Sequence, residues 1–138
     1  MYLLDTNVVS EVRKNKPHGA VLAWLAATPE SSLFISAVTC AEIQRGVELT
    51  RDQNPAKAAE LDHWLDQLGN TYRLLPVDDT VFRSHARLMH RYSDDHYVDG
   101  LIAATALVHR LTVVTRNLRD FEPFGVTVFN PFASKPTE

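Results

Sequence analysis

The sequence has a single cysteine, Cys40, which excludes an internal disulfide and any zinc site built on cysteine pairs. Its six histidines include no His-x3-His pair, so a common spacing of zinc ligands on helices is also missing. Neither a Gly-x-Gly-x-x-Gly sequence nor a P-loop occurs among the five glycines, which disfavours a nucleotide-binding enzyme. A functional site is therefore to be sought among oxygen-bearing side chains.

A basic leader and a long hydrophobic run are missing as well. Met1 is followed within four residues by Asp5, so we expect a cytoplasmic protein that does not enter a membrane. Hydrophobic residues make up 45% of the chain and charged residues 22%, the balance of an ordinary globular protein. At this length one core is sufficient. We expect one domain over residues 1–132 and a flexible tail over residues 133–138.

The sequence also lacks a basic excess, because its net charge is −3 and its pI is near 6.0. A protein that binds nucleic acid by charge neutralisation alone normally carries many more basic than acidic residues. If this chain handles RNA or DNA, its acidic groups have to be offset where they meet phosphate. A bound divalent cation is the simplest means of doing so.

Short apolar runs alternate with longer segments of helical periodicity along the chain. The runs predict five strands, at residues 2–4, 33–35, 72–75, 112–114 and 126–129. Helices are expected after Pro17, from Asn54-Pro55 to a stop at Gly69, and after Asp78 or Asp79. This alternation predicts an α/β protein, a three-layer α/β/α sandwich with a mostly parallel five-stranded sheet.

Polar residues follow the predicted strands directly, and the carboxyl ends of parallel strands meet at one rim of a sheet. Asp5 follows the first strand, Glu42 lies about a turn beyond the second, and Asp99 is expected to open a very apolar helix. Singly, Asp5 and Asp99 could be helix caps and Glu42 a surface residue. Together they would repel one another unless a cation is bound. Oxygen ligands favour Mg²⁺ or Mn²⁺, which can activate water for phosphodiester hydrolysis.

Two other α/β classes fit these residues less well. A response-regulator receiver needs an acidic pair after the first strand and a lysine near the last strand. The segment Asp5-Thr6-Asn7 has no such pair, and Lys135 lies in the tail. A haloacid-dehalogenase-like phosphatase needs a second acid two residues after Asp5, where Asn7 stands. A non-enzymatic alternative is a catalytically weak binding module that acts through partner assembly.

Four segments in order closely resemble the PIN-domain toxins of type II toxin–antitoxin systems, the VapC and FitB-like group. They are Leu-Leu-Asp5-Thr6-Asn7-Val8, Ser36-x5-Glu42-Ile43-x2-Gly46, Asp99-x2-Ile102-Ala103-Ala104-Thr105-Ala106 and Val114-Thr115-Arg116-Asn117-x2-Asp120-Phe121. The resemblance runs from residue 2 to about Pro131. Each segment alone is a weak signal, but four in the right order make a strong one.

This resemblance implies a site with Mg²⁺ or Mn²⁺ and endoribonuclease activity on structured RNA such as tRNA or ribosomal RNA. Asp5, Glu42 and Asp99 take the acidic metal-binding positions, and Thr6 matches a hydroxyl that organises the first acid. Many relatives have a fourth acid where this chain has Asn117, and Asp120 lies three residues further on. Thr6, Thr115 and Arg116 are candidate substrate contacts at the same rim.

The resemblance also implies partners. It predicts a homodimer. It also predicts an assembly of higher order with a cognate antitoxin whose tail blocks the metal site. We expect that partner to cover an apolar groove near the helices that carry Trp24 and Trp64. The chain is therefore expected to act as the toxin of such a pair.

Overall fold

In this computed structural model, which describes residues 1–133, five short strands alternate with seven α-helices. The strands are β1 (Tyr2–Leu4), β2 (Leu33–Ser36), β3 (Arg73–Leu75), β4 (Thr112–Val114) and β5 (Val128–Phe129). The helices are α1 (Thr6–Glu11), α2 (Gly19–Ala27), α3 (Ala37–Arg51), α4 (Pro55–Thr71), α5 (Asp79–Met89), α6 (Tyr97–His109) and α7 (Leu118–Phe121). Short 3-10 turns lie at Glu30–Ser32, Asp94–His96, Glu122–Phe124 and Pro131–Ala133.

All strand pairs of the sheet are parallel, and the strand order is β3-β2-β1-β4-β5. The first strand lies at the centre, with Leu3 opposite Phe34 of β2 on one side and Val113 of β4 on the other. The chain builds one half of the sheet through β2 and β3 and then crosses to the other side of β1. The order of the strands therefore reverses between β1 and β4, where a crevice forms at the carboxyl ends.

The two faces of the sheet are covered by different helices, which confirms the predicted three-layer α/β/α sandwich. Leu4 points to a core that includes side chains of α1, α2, α3 and α4. Leu3 points to the opposite core, which contains side chains of α6 and α7 with Leu88 and Met89 of α5 against them. Alternate residues of a strand face opposite sides, so one short apolar run serves both cores.

The sequence signals for helix ends were confirmed at some positions and wrong at others. Asn54 caps α4, accepting a hydrogen bond from the Lys57 backbone N–H (3.1 Å), and Asp78 caps α5 in the same way. The predicted stop at Gly69 was wrong, because α4 continues to Thr71. A helical glycine with φ below zero weakens a helix but does not oblige it to end.

The helix that carries Asp99 begins two residues earlier than expected, at Tyr97. Its middle turns are buried, as predicted. None of the helices within residues 1–133 is long and apolar enough to cross a membrane. Of the tail predicted over residues 133–138, Ala133 lies in the last 3-10 turn and the rest falls outside the described residues.

Candidate active site

Asp5 lies in the crevice at the end of β1 and is only 6% exposed. Its Oδ1 accepts a hydrogen bond from the Thr6 backbone N–H (2.8 Å), so the carboxylate also caps α1. Its Oδ2 accepts hydrogen bonds from Asn7 Nδ2 (3.0 Å) and from Thr115 Oγ1 (2.8 Å). Burial raises the pKa of Asp5, and these three hydrogen bonds oppose the rise. The carboxylate is therefore held in one orientation.

Thr115 supports Asp5 from the neighbouring strand. It follows β4, is fully buried, and accepts hydrogen bonds from the Asn117 backbone N–H (3.0 Å) and Asn7 Nδ2 (3.3 Å). The sequence interpretation made Thr115 a substrate contact. Its complete burial corrects that interpretation, because a hydroxyl already committed inside the protein positions Asp5 and does not face a substrate.

Asn7 is a site residue that the sequence interpretation did not assign. Its amide nitrogen reaches both Asp5 and Thr115, and its Oδ1 accepts a hydrogen bond from the Arg116 backbone N–H (3.1 Å). Asn7 therefore ties the loop after β1 to the loop after β4. Its place in the Asp-Thr-Asn sequence was the available signal, but its partners Thr115 and Arg116 are more than a hundred residues away in the chain.

Glu42 is joined to Asp5 through Thr6. The Thr6 hydroxyl donates a 2.6 Å hydrogen bond to Glu42 Oε1, while the Thr6 backbone N–H donates to Asp5. Thr39, buried one turn before Glu42 on α3, has its hydroxyl 3.3 Å from that of Thr6. Burial raises the pKa of Glu42, the bond from Thr6 opposes the rise, and the charge of Asp5 adds to it. A single threonine thus organises two of the three predicted acids.

Asp99 lies in the first turn of α6 and is half-buried. Burial and the negative charges of Asp5, Asp120 and Glu42 raise its pKa to about 6, and nearby His96 opposes the rise. The structure therefore brings Asp5, Glu42 and Asp99 within electrostatic reach of one another. Four acidic groups share this rim, since Asp120 belongs to the same set.

The donor chemistry of the rim fits a hard divalent cation, with one restriction. Within residues 1–133, no group of three or more His, Cys, Asp or Glu side chains is placed so that it could hold a metal ion. The expectation that three carboxylates directly bind one ion is therefore not met in this arrangement. Mg²⁺ commonly binds through one or two carboxylates and keeps several waters. The oxygen-rich rim fits that mode.

Asp120 is the better placed candidate for the fourth acidic contribution. It lies exposed on α7, and its charge raises the pKa of both Asp5 and Asp99. Asn117 is exposed at the start of α7, and its backbone N–H donates to Thr115. Asp120, one helical turn beyond Asn117, is therefore the acid near this end of the rim whose charge acts on Asp5 and Asp99.

Arg116 is exposed beside these acids. Its backbone is fixed by Asn7, and its guanidinium lies 4.1 Å from the centre of the Phe132 ring. A cavity of about 510 Å³ runs past it, lined by Arg116, Asn117, Leu118, Arg119, Asp120 and Glu122. A cation stacked on an aromatic ring keeps its N–H groups free at the edges, which suits contact with phosphate.

A second opening lies on the Glu42 side, between α1, α3 and α4. This groove has a volume of about 350 Å³ and is lined by Thr6, Ser10, Arg13, Lys14, Glu42, Ile43, Gly46, Val47, Thr50, Leu61 and Trp64. Trp64 lines it as expected. Trp24 does not, because its ring packs against Tyr2 and Phe129, with centroids 5.0 and 5.4 Å away.

The chain is similar in sequence to known proteins. Residues 2–124 match the model of the PIN domain. The chain is 39% identical to toxin FitB of Neisseria gonorrhoeae, covering 96% of this chain and 99% of that protein. It is 37% identical to VapC ribonuclease Y4jK of Sinorhizobium fredii, covering 96% of this chain and 98% of that protein.

Two solved structures have the same fold. One is the crystal structure of FitAcB from Neisseria gonorrhoeae, with a TM-score of 0.85, 38% identity, and coverage of 97% of this chain and 100% of that one. The other is a toxin–antitoxin complex from Klebsiella pneumoniae, with a TM-score of 0.71, 25% identity, and coverage of 95% and 98%.

Proposed function

This chain belongs to the PIN domain family, and we propose that it is an Mg²⁺- or Mn²⁺-dependent endoribonuclease that acts as a toxin. The observation that carries the proposal is the meeting of Asp5, Glu42, Asp99 and Asp120 at one rim, where their charges act on one another. Accumulated negative charge of this kind is costly unless a cation offsets it. The relatives named as a toxin and as a ribonuclease support the same conclusion.

The site residues have separate roles in the proposed reaction. Thr115, Asn7 and the Thr6 backbone hold Asp5 rigidly, while the Thr6 hydroxyl fixes Glu42 beside it. Asp99 contributes a carboxylate from the opposite side, on α6. Carboxylates of this rim would hold Mg²⁺ or Mn²⁺, which when bound would stabilise phosphate charge and lower the pKa of a water for hydrolysis. The chain itself orients the carboxylates before the substrate binds.

RNA is the proposed substrate. The acids alone would repel its phosphates, so positive charge is needed beside them. Arg116 and Arg119 line the cavity beside Asp120, so the positive charge needed for phosphate contact is local although the chain as a whole is acidic. We expect cleavage of structured RNA, such as tRNA or ribosomal RNA, at an accessible phosphodiester. Arg116 would contact a phosphate next to the one that is cut.

An antitoxin is the proposed partner, because the similar Klebsiella pneumoniae structure is a toxin–antitoxin complex. The groove between α1, α3 and α4 is apolar at Ile43, Val47 and Leu61 and includes Glu42. A peptide laid in it would bury apolar side chains and reach the acidic rim. A homodimer in the cytoplasm remains part of the proposal.

The test is cleavage of purified tRNA and ribosomal RNA by the full chain freed of any partner, with Mg²⁺ or Mn²⁺ and with EDTA. We expect metal-dependent cutting that Asp5→Asn and Asp99→Asn each reduce at least a hundredfold, roughly 2.7 kcal/mol in the barrier. The matched control is Asp66→Asn, which removes an exposed carboxylate on α4 and should cut normally. Calorimetric titration with Mn²⁺ should show weakened binding in the first two variants alone.

Two outcomes would overturn parts of this proposal. Cutting that survives both substitutions and chelation would remove the acidic mechanism. Metal binding without cutting of RNA, together with tight association with a neighbouring gene's product, would instead favour the catalytically weak binding module.

A further inference from the structure

Three aromatic rings pack together just outside the acidic rim, and the proposed chemistry does not use them. The aromatic cluster consists of Tyr92, His96 and Phe124. Ring centroids are 6.1 Å apart for Tyr92 and His96, 5.5 Å for Tyr92 and Phe124, and 6.5 Å for His96 and Phe124. All three pairs are edge-to-face, so the rings hold each other in place.

The cluster joins the two elements that carry Asp99 and Asp120. His96 occupies the N-cap position of α6, without a capping hydrogen bond from its side chain, and Asp99 follows three residues later. Residues three apart at the start of a helix lie on one face, and the charge of His96 indeed lowers the pKa of Asp99. Phe124 lies in the 3-10 turn that directly follows α7, which carries Asp120. His96 therefore lies within electrostatic reach of Asp99, and Phe124 follows Asp120 by four residues.

The exposure of these rings differs in a way that suits a binding surface. Phe124 is only 5% exposed and forms the floor, whereas Tyr92 is 40% exposed and His96 is half-buried. The Tyr92 hydroxyl donates a 3.2 Å hydrogen bond to the Pro123 carbonyl, which fixes the ring at both ends. A ring that is both exposed and held offers a π surface at little entropic cost.

We propose that Tyr92 and His96 form a stacking subsite for one unpaired base of the RNA, next to the phosphate at the acidic rim. This inference rests on the proposed function. Unpaired RNA bases stack on aromatic side chains, and such stacking tolerates any base because every base has a π face. With Arg116 and Arg119 near the other end of α7, the rim would be flanked by a phosphate contact on one side and a base contact on the other.

The test uses the full chain, Ca²⁺ in place of Mg²⁺ so that a cation still offsets the acidic rim while cutting is suppressed, and single-stranded RNA dodecamers with 2-aminopurine at one position in each. Stacking on a ring quenches this fluorescent base, so wild type should quench it at one position of the bound RNA. Tyr92→Leu and His96→Leu should each abolish that quenching and weaken binding about tenfold, whereas Tyr92→Phe should bind within about twofold of wild type. Phe82→Leu is the matched control, because Phe82 is 45% exposed on α5 outside the cluster.

A second probe changes the RNA as well as the protein. An abasic site at the quenched position should weaken wild-type binding about tenfold, and Tyr92→Leu should no longer distinguish the abasic RNA from the intact RNA. Equal binding by wild type and both leucine variants, with RNA still cut, would overturn this inference and leave the proposed function standing. Loss of antitoxin binding without loss of RNA binding would assign the rings to a protein partner and overturn it too. No binding and no cutting of RNA by wild type would overturn both.

Discussion

Thr115 Oγ1 donates a 2.8 Å hydrogen bond to Asp5 Oδ2 and so connects the ends of β4 and β1. The two residues are separated by 110 positions in sequence, yet both are buried at the point where the strand order reverses. The crevice of the parallel sheet is therefore closed at its base by a hydroxyl–carboxylate contact. The geometry of the acidic rim depends on that contact.

Thr115→Val should destabilise the protein by about 1–3 kcal/mol, because a nearly isosteric side chain removes one of the two donors to Asp5 Oδ2 and the acceptor of the Asn117 backbone N–H. The hydrogen bond lowers the pKa of Asp5, so its loss raises that pKa further. The stability difference should therefore be larger at pH 7 than below the pKa of Asp5. Urea unfolding at the two pH values measures it.

Thr115→Ser is the matched control, since it keeps the hydroxyl and should retain most of the stability and the pH dependence. If the valine and serine variants unfold alike at both pH values, the contact does not support Asp5 in the way proposed.

Asp99 should make the metal-free protein less stable as the pH rises. Its pKa is raised from 3.8 to about 6, so the folded state holds the proton more tightly than the unfolded chain. This contribution is fully present below about pH 4 and is lost as the pH rises through about 6. Asp99→Asn should thus stabilise the metal-free protein at pH 7.5 by on the order of 1 kcal/mol, after allowance for solvent screening, and change it little at pH 4.

Thermal melting with EDTA at both pH values checks the effect of Asp99→Asn. Saturating Mg²⁺ at pH 7.5 should make wild type more stable than Asp99→Asn, because wild type gains more stability from binding the cation than the variant does. A variant less stable than wild type at pH 7.5 without metal would contradict the view that like charges are crowded at the rim.

The fold was largely predictable because its signals are local. β1 and β4 have the predicted bounds, since each apolar run ends abruptly at a polar residue. The last strand was expected from Val126 but pairs only from Val128, opposite Val113. Val126 packs on the core without joining the sheet, and sequence composition does not separate those two ways of burying an apolar side chain.

The acids of the site were predictable for the same reason, while their supporting partners were not. Asp5 stands where a strand ends, which the sequence marks. Asn7 and Thr39 look like ordinary polar residues of a loop and a helix. Their roles come from neighbours that the crossover between the sheet halves brings together. The spacing of residues along the chain does not indicate which of them become neighbours.

Asp120 should contribute more to metal affinity than Asn117 does. Its charge acts on both Asp5 and Asp99, so Asp120→Asn should weaken Mn²⁺ binding by about tenfold, equivalent to ~1.4 kcal/mol. Adding Asn117→Asp to that variant should restore part of the affinity, because the charge returns one helical turn away. Calorimetric titration measures all three proteins. An Asp120→Asn variant that binds Mn²⁺ as tightly as Asp66→Asn would exclude Asp120 from the site.

Gly69 and Gly100 should respond in opposite directions to replacement by alanine, although both lie inside helices. A Cβ at Gly69 meets nothing within 4 Å, so Gly69→Ala should stabilise α4 by about 0.5–1 kcal/mol through reduced backbone entropy of the unfolded chain. A Cβ at Gly100 would lie 2.6 Å from Met89 Sδ and 3.2 Å from His85 Cδ2.

The methionine can move, but the His85 ring is held by its Nε2, 3.0 Å from the Tyr97 carbonyl oxygen, and by the Tyr97 ring. Gly100→Ala should therefore separate α5 from α6 slightly and cost about 1–3 kcal/mol. Because Gly100 directly follows Asp99, this variant should also weaken Mn²⁺ binding, which Gly69→Ala should leave unchanged. Urea unfolding and Mn²⁺ titration of the two variants test these expectations. If Gly100→Ala is as stable as Gly69→Ala, the packing of α5 does not fix the first turn of α6.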